Sequence, residues 1–583
     1  PGRMVSCLLQ AKFKYGGTEF LRFLTNSTIG IAGFFDPADA WFDLKRRHEN
    51  MGHAFASWGI GPGCLLVLPG STATNPRDQI GLLFDSALDI KIIIPYAGTI
   101  SSVNRIIRSY DSYNALTESS ADVYETFKLA MLAMRYGQLR DLADLTPPEH
   151  KPGPYRPSAR ENAILTARYF HPENEYNDTL RIALFTMQNN DRSWWIKTSL
   201  WNTDFIMKGS KRSIRFSDDL PRMRYRLWDK TTNNTLAVII PGVGTHYTGT
   251  TISALAELLN DNGYAVAAMS NSMNWAFADS AGLKAPGYAP EDAAKVREAI
   301  QKMLADIRDN TELRDFDVVL VGYSLGALHT LKIAEMEQKA SLLGAKRYLA
   351  INPPVDILKS MNRFDALANL SKDWNRMEFF RNTEDVMMRF LPLVMQRRTF
   401  APLLSPEALA EENKRRAGLE KPLPPLVQPE MRTGLTKLQA SILIGLSFRM
   451  TMRELMMTLV RNGRAPRGAV YTPWSWFNRT GLYSELDDIS GMQYVRRFIL
   501  PYHKGKTVEQ LQYESSLYSS APALKNEPKV RVLHNADDLI LDSSERDFLD
   551  SLFGSRLTWF DCGSHMGNLY LKEYQDTLLK QLE

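Results

Sequence analysis

Cysteine is scarce: three residues in 583, Cys7, Cys64 and Cys562, far apart and without metal-ligand spacing. No disulfide framework and no structural zinc site can be read from them. No run of ~18 apolar residues occurs, so no helix is expected to span a bilayer. No secretory signal is legible either, and the chain opens on Pro1-Gly2-Arg3-Met4, already inside amphipathic sequence. An upstream segment is therefore expected to be missing. Charge of one sign is also lacking. Seventy Lys and Arg against 65 Asp and Glu leave a net charge of +5, spread along the chain, which gives no nucleic-acid footprint. What is present, 44% apolar and 23% charged residues, is ordinary for folded domains, and the length is too great for one core.

The segment Pro147-Pro148-Glu149-His150-Lys151-Pro152-Gly153-Pro154 breaks any regular pattern, because proline fixes φ and removes donors. It marks a linker, 145–175, between a first domain, 1–144, and a longer second part. Beyond it, short Val-, Ile- and Leu-rich runs alternate with amphipathic helices. Leu180–Met187 and Trp194–Leu200 suggest a hairpin. Leu236–Ile240, Tyr264–Met269, Asp317–Val321, Lys346–Ile351, Lys529–Leu533 and Leu557–Phe560 suggest parallel strands buried on both faces. Such alternation predicts a doubly wound, mostly parallel α/β sheet over 176–353 and 526–583. The stretch 354–525 is helical and Met-rich, and too long for a connection, so it is expected to form an inserted helical lid.

Gly322-Tyr323-Ser324-Leu325-Gly326 lies between the strand Asp317–Val321 and the helical pattern Ala327–Lys339. This is the nucleophile elbow in its required context. A serine hydroxyl needs a base at neutral pH. His565, in Asp561-Cys562-Gly563-Ser564-His565-Met566-Gly567 after the last strand, is placed for that role. The acid should end the strand before it, where Asn535-Ala536-Asp537-Asp538-Leu539 stands. Asp538 matches the usual place, with Asp537 and Asp542 as alternatives. The oxyanion donors are expected to be the N–H groups of Leu325 and of Val243, the latter in the loop Pro241-Gly242-Val243-Gly244-Thr245-His246. His246 could reach substrate, although a loop histidine is more often structural. The pattern resembles the α/β-hydrolase superfamily of serine esterases and lipases. That implies acyl-ester hydrolysis or transfer, with no metal or organic cofactor.

In the helical stretch Thr436–Arg461, the residues Leu438, Ile442, Leu446, Met450, Leu455, Met456, Met457, Leu459 and Val460 form an apolar series. Packing of a lid accounts for most of it, and an acyl-chain channel is the sharper alternative.

The first domain carries Leu21-Arg22-Phe23-Leu24-Thr25-Asn26-Ser27-Thr28-Ile29-Gly30-Ile31-Ala32-Gly33-Phe34-Phe35-Asp36-Pro37-Ala38, then Met51-Gly52, Ser57-Trp58-Gly59-Ile60-Gly61-Pro62-Gly63, Leu66-Val67-Leu68-Pro69-Gly70 and Arg77-Asp78. These motifs, in this order, resemble the VacJ/MlaA family of outer-membrane lipid-asymmetry lipoproteins of Gram-negative bacteria. The resemblance implies a mainly α-helical, membrane-associated domain at the periplasmic face of the outer membrane, in its inner leaflet. It also implies porin partners and a periplasmic lipid carrier. The chain departs from the family at Gly70-Ser71-Thr72-Ala73-Thr74-Asn75-Pro76, and Cys7 reads as a helix residue, not a lipid-bearing one. Together the two parts suggest a serine hydrolase acting on phospholipid or lysophospholipid. The alternatives are a lipid-transport protein with a non-catalytic hydrolase-fold module, or a hydrolase of peptides or other esters.

Overall fold

The computed structural model describes residues 2–87 apart from 30–35, 43, 45, 48, 65 and 67–73; 118 and 120–124; 164–165; 172–187; 205–374 apart from 373; 386; 406–418; and 433–583 apart from 476–477. The chain divides into two compact units, Pro1–Thr146 with Trp195–Thr198, and Pro147–Trp194 with Ser199–Glu583.

The first unit is helical, with helices Gly2–Leu9, Phe13–Thr28, Pro37–Ala40, Met51–Ser57 and Pro76–Ala87. Asp36 and Asn50 cap the third and fourth of these through their side chains. Two motif pairs of the sequence meet here. Gly52 lacks the side chain that would collide with the Asp78 carboxylate, and Gly81 packs on the Gly52 backbone. Asp78 in turn accepts from Asn75 Nδ2 at 2.6 Å and Arg77 Nε at 3.1 Å. Polar groups thus knot the interior of this unit. Large apolar side chains point outward, among them Phe13 and Trp41 at 69% exposure and Leu83 at 71%. Among the described residues no helix is long and apolar enough to cross a membrane.

The second unit is built on a nine-stranded sheet: β1 (Ile164–Leu165), β2 (Ser210–Ile214), β3 (Met223–Trp228), β4 (Thr235–Ile240), β5 (Ala265–Ala268), β6 (Asp317–Tyr323), β7 (Arg347–Ile351), β8 (Val530–Asn535) and β9 (Leu557–Phe560). The spatial order is β1-β9-β8-β7-β6-β4-β5-β3-β2. Only the pairs β2/β3 and β3/β5 are antiparallel. Leu236 to Ile240 are wholly buried, as a central strand with helices on both faces requires. Because β4 pairs with both β5 and β6, the chain reverses its direction across the sheet there. The crevice at such a reversal, beyond the carboxyl ends of the strands, is where α/β sheets place ligands.

The six strands expected beyond residue 230 all form. Leu180–Met187 does not: Glu175–Leu180 is a helix capped by the Asn174 side chain, and Arg181–Leu184 continues it as a 3₁₀ turn. Its apolar run also fits a spacing of four, with Leu180 and Leu184 on one face, so period alone misleads. Trp194–Leu200 lies outside the described residues. The antiparallel pair β2/β3 is not among the expected strands, although Met223-Arg224-Tyr225-Arg226-Leu227 alternates apolar and charged residues as a half-buried strand does.

Between β7 and β8 the chain makes the helices Ile357–Asn369, Pro406–Ala417, Lys437–Arg461, Arg479–Asp487, Val508–Ser515 and Leu517–Leu524, with shorter turns. The long helix Lys437–Arg461 is started by a capping box of Thr436 and Gln439. It meets Ile357–Asn369 closely enough that a Cβ at Gly445 would collide with the backbone of Ala368. Phe364 and Phe448 stack at 5.0 Å across this seam.

At the end of β6 a Cβ on Gly326 would collide with the carbonyl of Ile240, and one on Gly322 with Thr330 Oγ1 and the Gly326 carbonyl. Gly326→Ala is therefore expected to destabilise the second unit by about 1–3 kcal/mol, the usual cost of overpacking. Urea unfolding followed by circular dichroism checks this; an unchanged midpoint would mean the turn relaxes freely.

Candidate active site

Ser324 follows β6 and sits at φ 54°, ψ −124°, a left-handed backbone for a residue with a Cβ, before the helix Leu325–Lys339. Its N–H donates to Ile351 O at 2.8 Å, which fixes the turn to the neighbouring strand. The strain lifts the half-buried hydroxyl off the sheet. His565 Nε2 lies 2.9 Å from Ser324 Oγ, and His565 Nδ1 lies 3.0 Å from Asp538 Oδ2 and 3.2 Å from Oδ1. With the imidazole proton on Nδ1, that nitrogen donates to the carboxylate and Nε2 accepts from the serine.

The three aspartates considered for the acid have separate tasks. Asp538 is fully buried and faces His565. Asp537 accepts from the N–H groups of Gly563 and Ser564, at 3.2 and 2.8 Å, and so braces the histidine loop. Asp542 caps the helix Ser543–Phe553.

Burial pushes the Asp538 carboxyl upward. The charge and hydrogen bond of His565, the nearby His534 and the Ile540 N–H outweigh this and hold it below its ordinary value. Asn352 Nδ2 also donates to Asp538 Oδ2 at 2.7 Å, from a left-handed residue just after β7. His534 lies behind the carboxylate at 3.6 Å, fully buried, its Nε2 donating to Pro353 O at 3.2 Å. Burial lowers this imidazole to about 4, so it is neutral at pH 7.

The loop after β4 passes beside the serine: a Cβ on Gly242 would lie 3.1 Å from Ser324 Cβ. Its carbonyls are pinned from behind by Asn271 Nδ2 on Pro241 O at 2.7 Å and Asn274 Nδ2 on Gly244 O at 2.8 Å. No acceptor within the described residues takes the N–H of Val243 or of Leu325. Val243 follows Gly242, and Leu325 follows Ser324 directly. His246 turns into its own loop, where Nδ1 meets Thr248 Oγ1 at 2.8 Å, and is buried. Gly244, at φ 67°, leaves room for the Thr451 methyl of the long helix, so the insertion packs directly on this loop. Of the apolar series on that helix, Ile442, Leu455, Met456, Met457 and Leu459 are buried, whereas Leu438 and Met450 are exposed.

Asn271, Asn274 and Asn352 carried no signal in the sequence, being ordinary loop asparagines until the sheet brings them to the site. Among the described residues no group of three or more His, Cys, Asp or Glu could hold a metal ion.

The strand order, with serine after β6, aspartate after β8 and histidine after β9, defines an α/β-hydrolase-type fold. Residues 1–138 match the family model of the MlaA lipoprotein. An uncharacterized protein of Rickettsia bellii is 33% identical over 117 residues, 19% of this chain and 46% of the relative. The intermembrane phospholipid transport system lipoprotein MlaA of Haemophilus influenzae is 32% identical over 88 residues, 15% of this chain and 35% of the relative. The chain thus spans less than half the length of these curated relatives. Among solved structures, a thioesterase domain from the curacin biosynthetic pathway is 12% identical with a TM-score of 0.28, covering 64% of this chain and 99% of that one. An esterase of Pyrococcus furiosus is 10% identical with a TM-score of 0.31, covering 64% and 90%.

The His534 imidazole makes acid sensitivity testable. An unfolded histidine titrates near 6.5 and this one near 4, so the unfolded state binds more protons between those values. Its contribution to stability is complete above pH 6.5 and is lost as pH falls toward 4. In His534→Gln the decline of the unfolding midpoint over that window is expected to be shallower than in the wild type. Parallel declines would contradict it.

Proposed function

We propose that the chain is a serine hydrolase that cleaves acyl esters of phospholipids or lysophospholipids, with Ser324 as nucleophile, His565 as base and Asp538 as acid. The observation that carries this is the unbroken hydrogen-bonded series Ser324–His565–Asp538 in a chain whose first 138 residues match a lipid-transport lipoprotein family.

In the acylation step Ser324 Oγ attacks the ester carbonyl while His565 Nε2 takes the hydroxyl proton. The carbonyl oxygen becomes an oxyanion held by the N–H groups of Val243 and Leu325. Collapse breaks the ester C–O bond, and the imidazolium returns its proton to the leaving alkoxide. Water then attacks the acyl-serine, giving its proton to the same nitrogen, and the fatty acid and free serine result. Asp538 holds the imidazole tautomer and stabilises the imidazolium without itself being protonated. Its depressed pKa suits that role.

The lipid part of the proposal is supported by the first unit. Phe13, Phe20, Leu21, Leu24, Trp41, Phe42, Leu83 and Phe84 are large, apolar and exposed. Such a surface is costly in water and is covered when helices lie in a leaflet. By its family likeness this unit sits at the periplasmic face of the outer membrane and works with a porin and a periplasmic lipid carrier. Covalent linkage keeps any lipid it extracts at high effective concentration for Ser324. The inserted helices act as a lid, with Thr451 resting on the oxyanion loop.

The test is release of free fatty acid from phospholipid and lysophospholipid vesicles, read by mass spectrometry. Ser324→Ala is expected to lose at least ~10⁴-fold in kcat and Asp538→Asn about as much, as in other triads. Undiminished release by Ser324→Ala would sink the mechanism. Turnover of simple esters but no lipid would keep the triad and overturn the substrate.

A further inference from the structure

The loop that presents His565 is conformationally costly. Gly563, Ser564 and Met566 take φ of 129°, 44° and 66°. Non-glycine residues in that region are strained and persist only where their surroundings over-determine them. Asp537 holds one side of the loop, through the N–H groups of Gly563 and Ser564. Asn535 Nδ2 holds another, donating to Ser564 O at 2.7 Å.

The remaining side is held by the short helix Glu175–Leu180, far upstream in sequence. Thr179 Oγ1 lies 2.7 Å from Glu175 O, 3.0 Å from Ser564 Oγ and 3.2 Å from His565 N. One hydroxyl carries one proton. With that proton on the Glu175 carbonyl, the two lone pairs accept from the Ser564 hydroxyl and the His565 N–H, and the group is saturated. Gly567 packs so tightly on the Asp178 carbonyl that a Cβ there would collide.

The same helix is fastened to the insertion. Asn177 Nδ2 donates to Leu435 O at 2.9 Å, and Thr433 N–H donates to Glu173 Oε2 at 3.0 Å. Lys437 Nζ lies 2.8 Å from Glu175 Oε1. Glu173 is steadied in turn by the buried Arg181 at 3.0 Å.

We propose that the helix Glu175–Leu180 sets the position of the base, with Thr179 as the positioning residue and Asn177 tying its loop to the start of the long inserted helix. This rests on the assignment of Ser324 and His565 as nucleophile and base. The helix touches no reacting atom. It acts by keeping His565 Nε2 within hydrogen-bond reach of Ser324, and a displacement of about 1 Å can cost 10²-fold in rate. The segment Thr433–Lys437 and the alignment of the base are thereby coupled.

The experiment measures the rate at which a fluorophosphonate labels Ser324 in the full chain, followed by intact mass from pH 5 to 9, with folding checked by circular dichroism. Thr179→Val is expected to label ~10- to 100-fold more slowly, with its pH profile altered because the base is misaligned. Thr179→Ser keeps the hydroxyl and should stay within ~3-fold of the wild type. Asn177→Ala should slow labelling by a smaller factor. A folded Thr179→Val labelling at the wild-type rate would overturn the proposal. Should Thr179→Val not fold, wild-type labelling by Asn177→Ala would overturn the coupling to the insertion, and slowing would support it. Ser324→Ala labelled as fast as the wild type would instead overturn the assignment of the nucleophile, a distinguishable failure.

Discussion

The second unit is organised by one steric constraint, the approach of the Gly326 backbone to the Ile240 and Pro241 carbonyls, where a side chain has no room. That approach brings the end of β4 against the turn after β6. It forces Ser324 into a left-handed conformation and lays the Val243 loop beside it. The Ser324 turn and the Val243 loop are thus fixed by one contact between two central strands, in the most buried part of the sheet. The aspartate after β8 and the histidine after β9 arrive from elsewhere and are aimed at that serine. The supporting groups act accordingly: Asn271, Asn274, Asp537 and Thr179 bond to backbone and aim loops toward that point, while Asn352 bonds to the Asp538 carboxylate.

How much of this the sequence discloses follows from how local each feature is. The elbow is legible because its glycines, serine, strand and helix are contiguous. His565 and Asp538 are legible because the fold prescribes their place after particular strands, and Asp537 and Asp542 separate from Asp538 only when their backbone partners are seen. Asn271, Asn274, Asn352 and Thr179 are not legible, since each acts on a loop distant in sequence. The run from Leu180 misleads for a related reason: its apolar residues suit either period, and the Asn174 cap with the buried Arg181 decides for helix. In the first unit the motifs were visible but their reason was not. Gly52 and Asp78 belong together because the missing side chain of one makes space for the carboxylate of the other.

Joining these two units in one chain has a physical logic. A lipid taken from a leaflet is insoluble, and an enzyme that waited for it to diffuse through water would be starved. Under the proposed function, handling the lipid and attacking its ester from the same polypeptide removes that step. On the proposed function, the outward apolar residues of the first unit and the hydrogen-bonded site of the second serve one task.

The central claim is that Ser324 receives an acyl group from a glycerolipid. The most direct measurement is rapid acid quenching of the full chain during turnover of a phospholipid with two different acyl chains, followed by peptide mass mapping. The expected result is a mass increase of one of those acyl groups on the peptide that holds Ser324, absent when hydroxylamine cleaves the ester. Lipid turnover with no acyl group on Ser324, or with the acyl group on another residue, would contradict it.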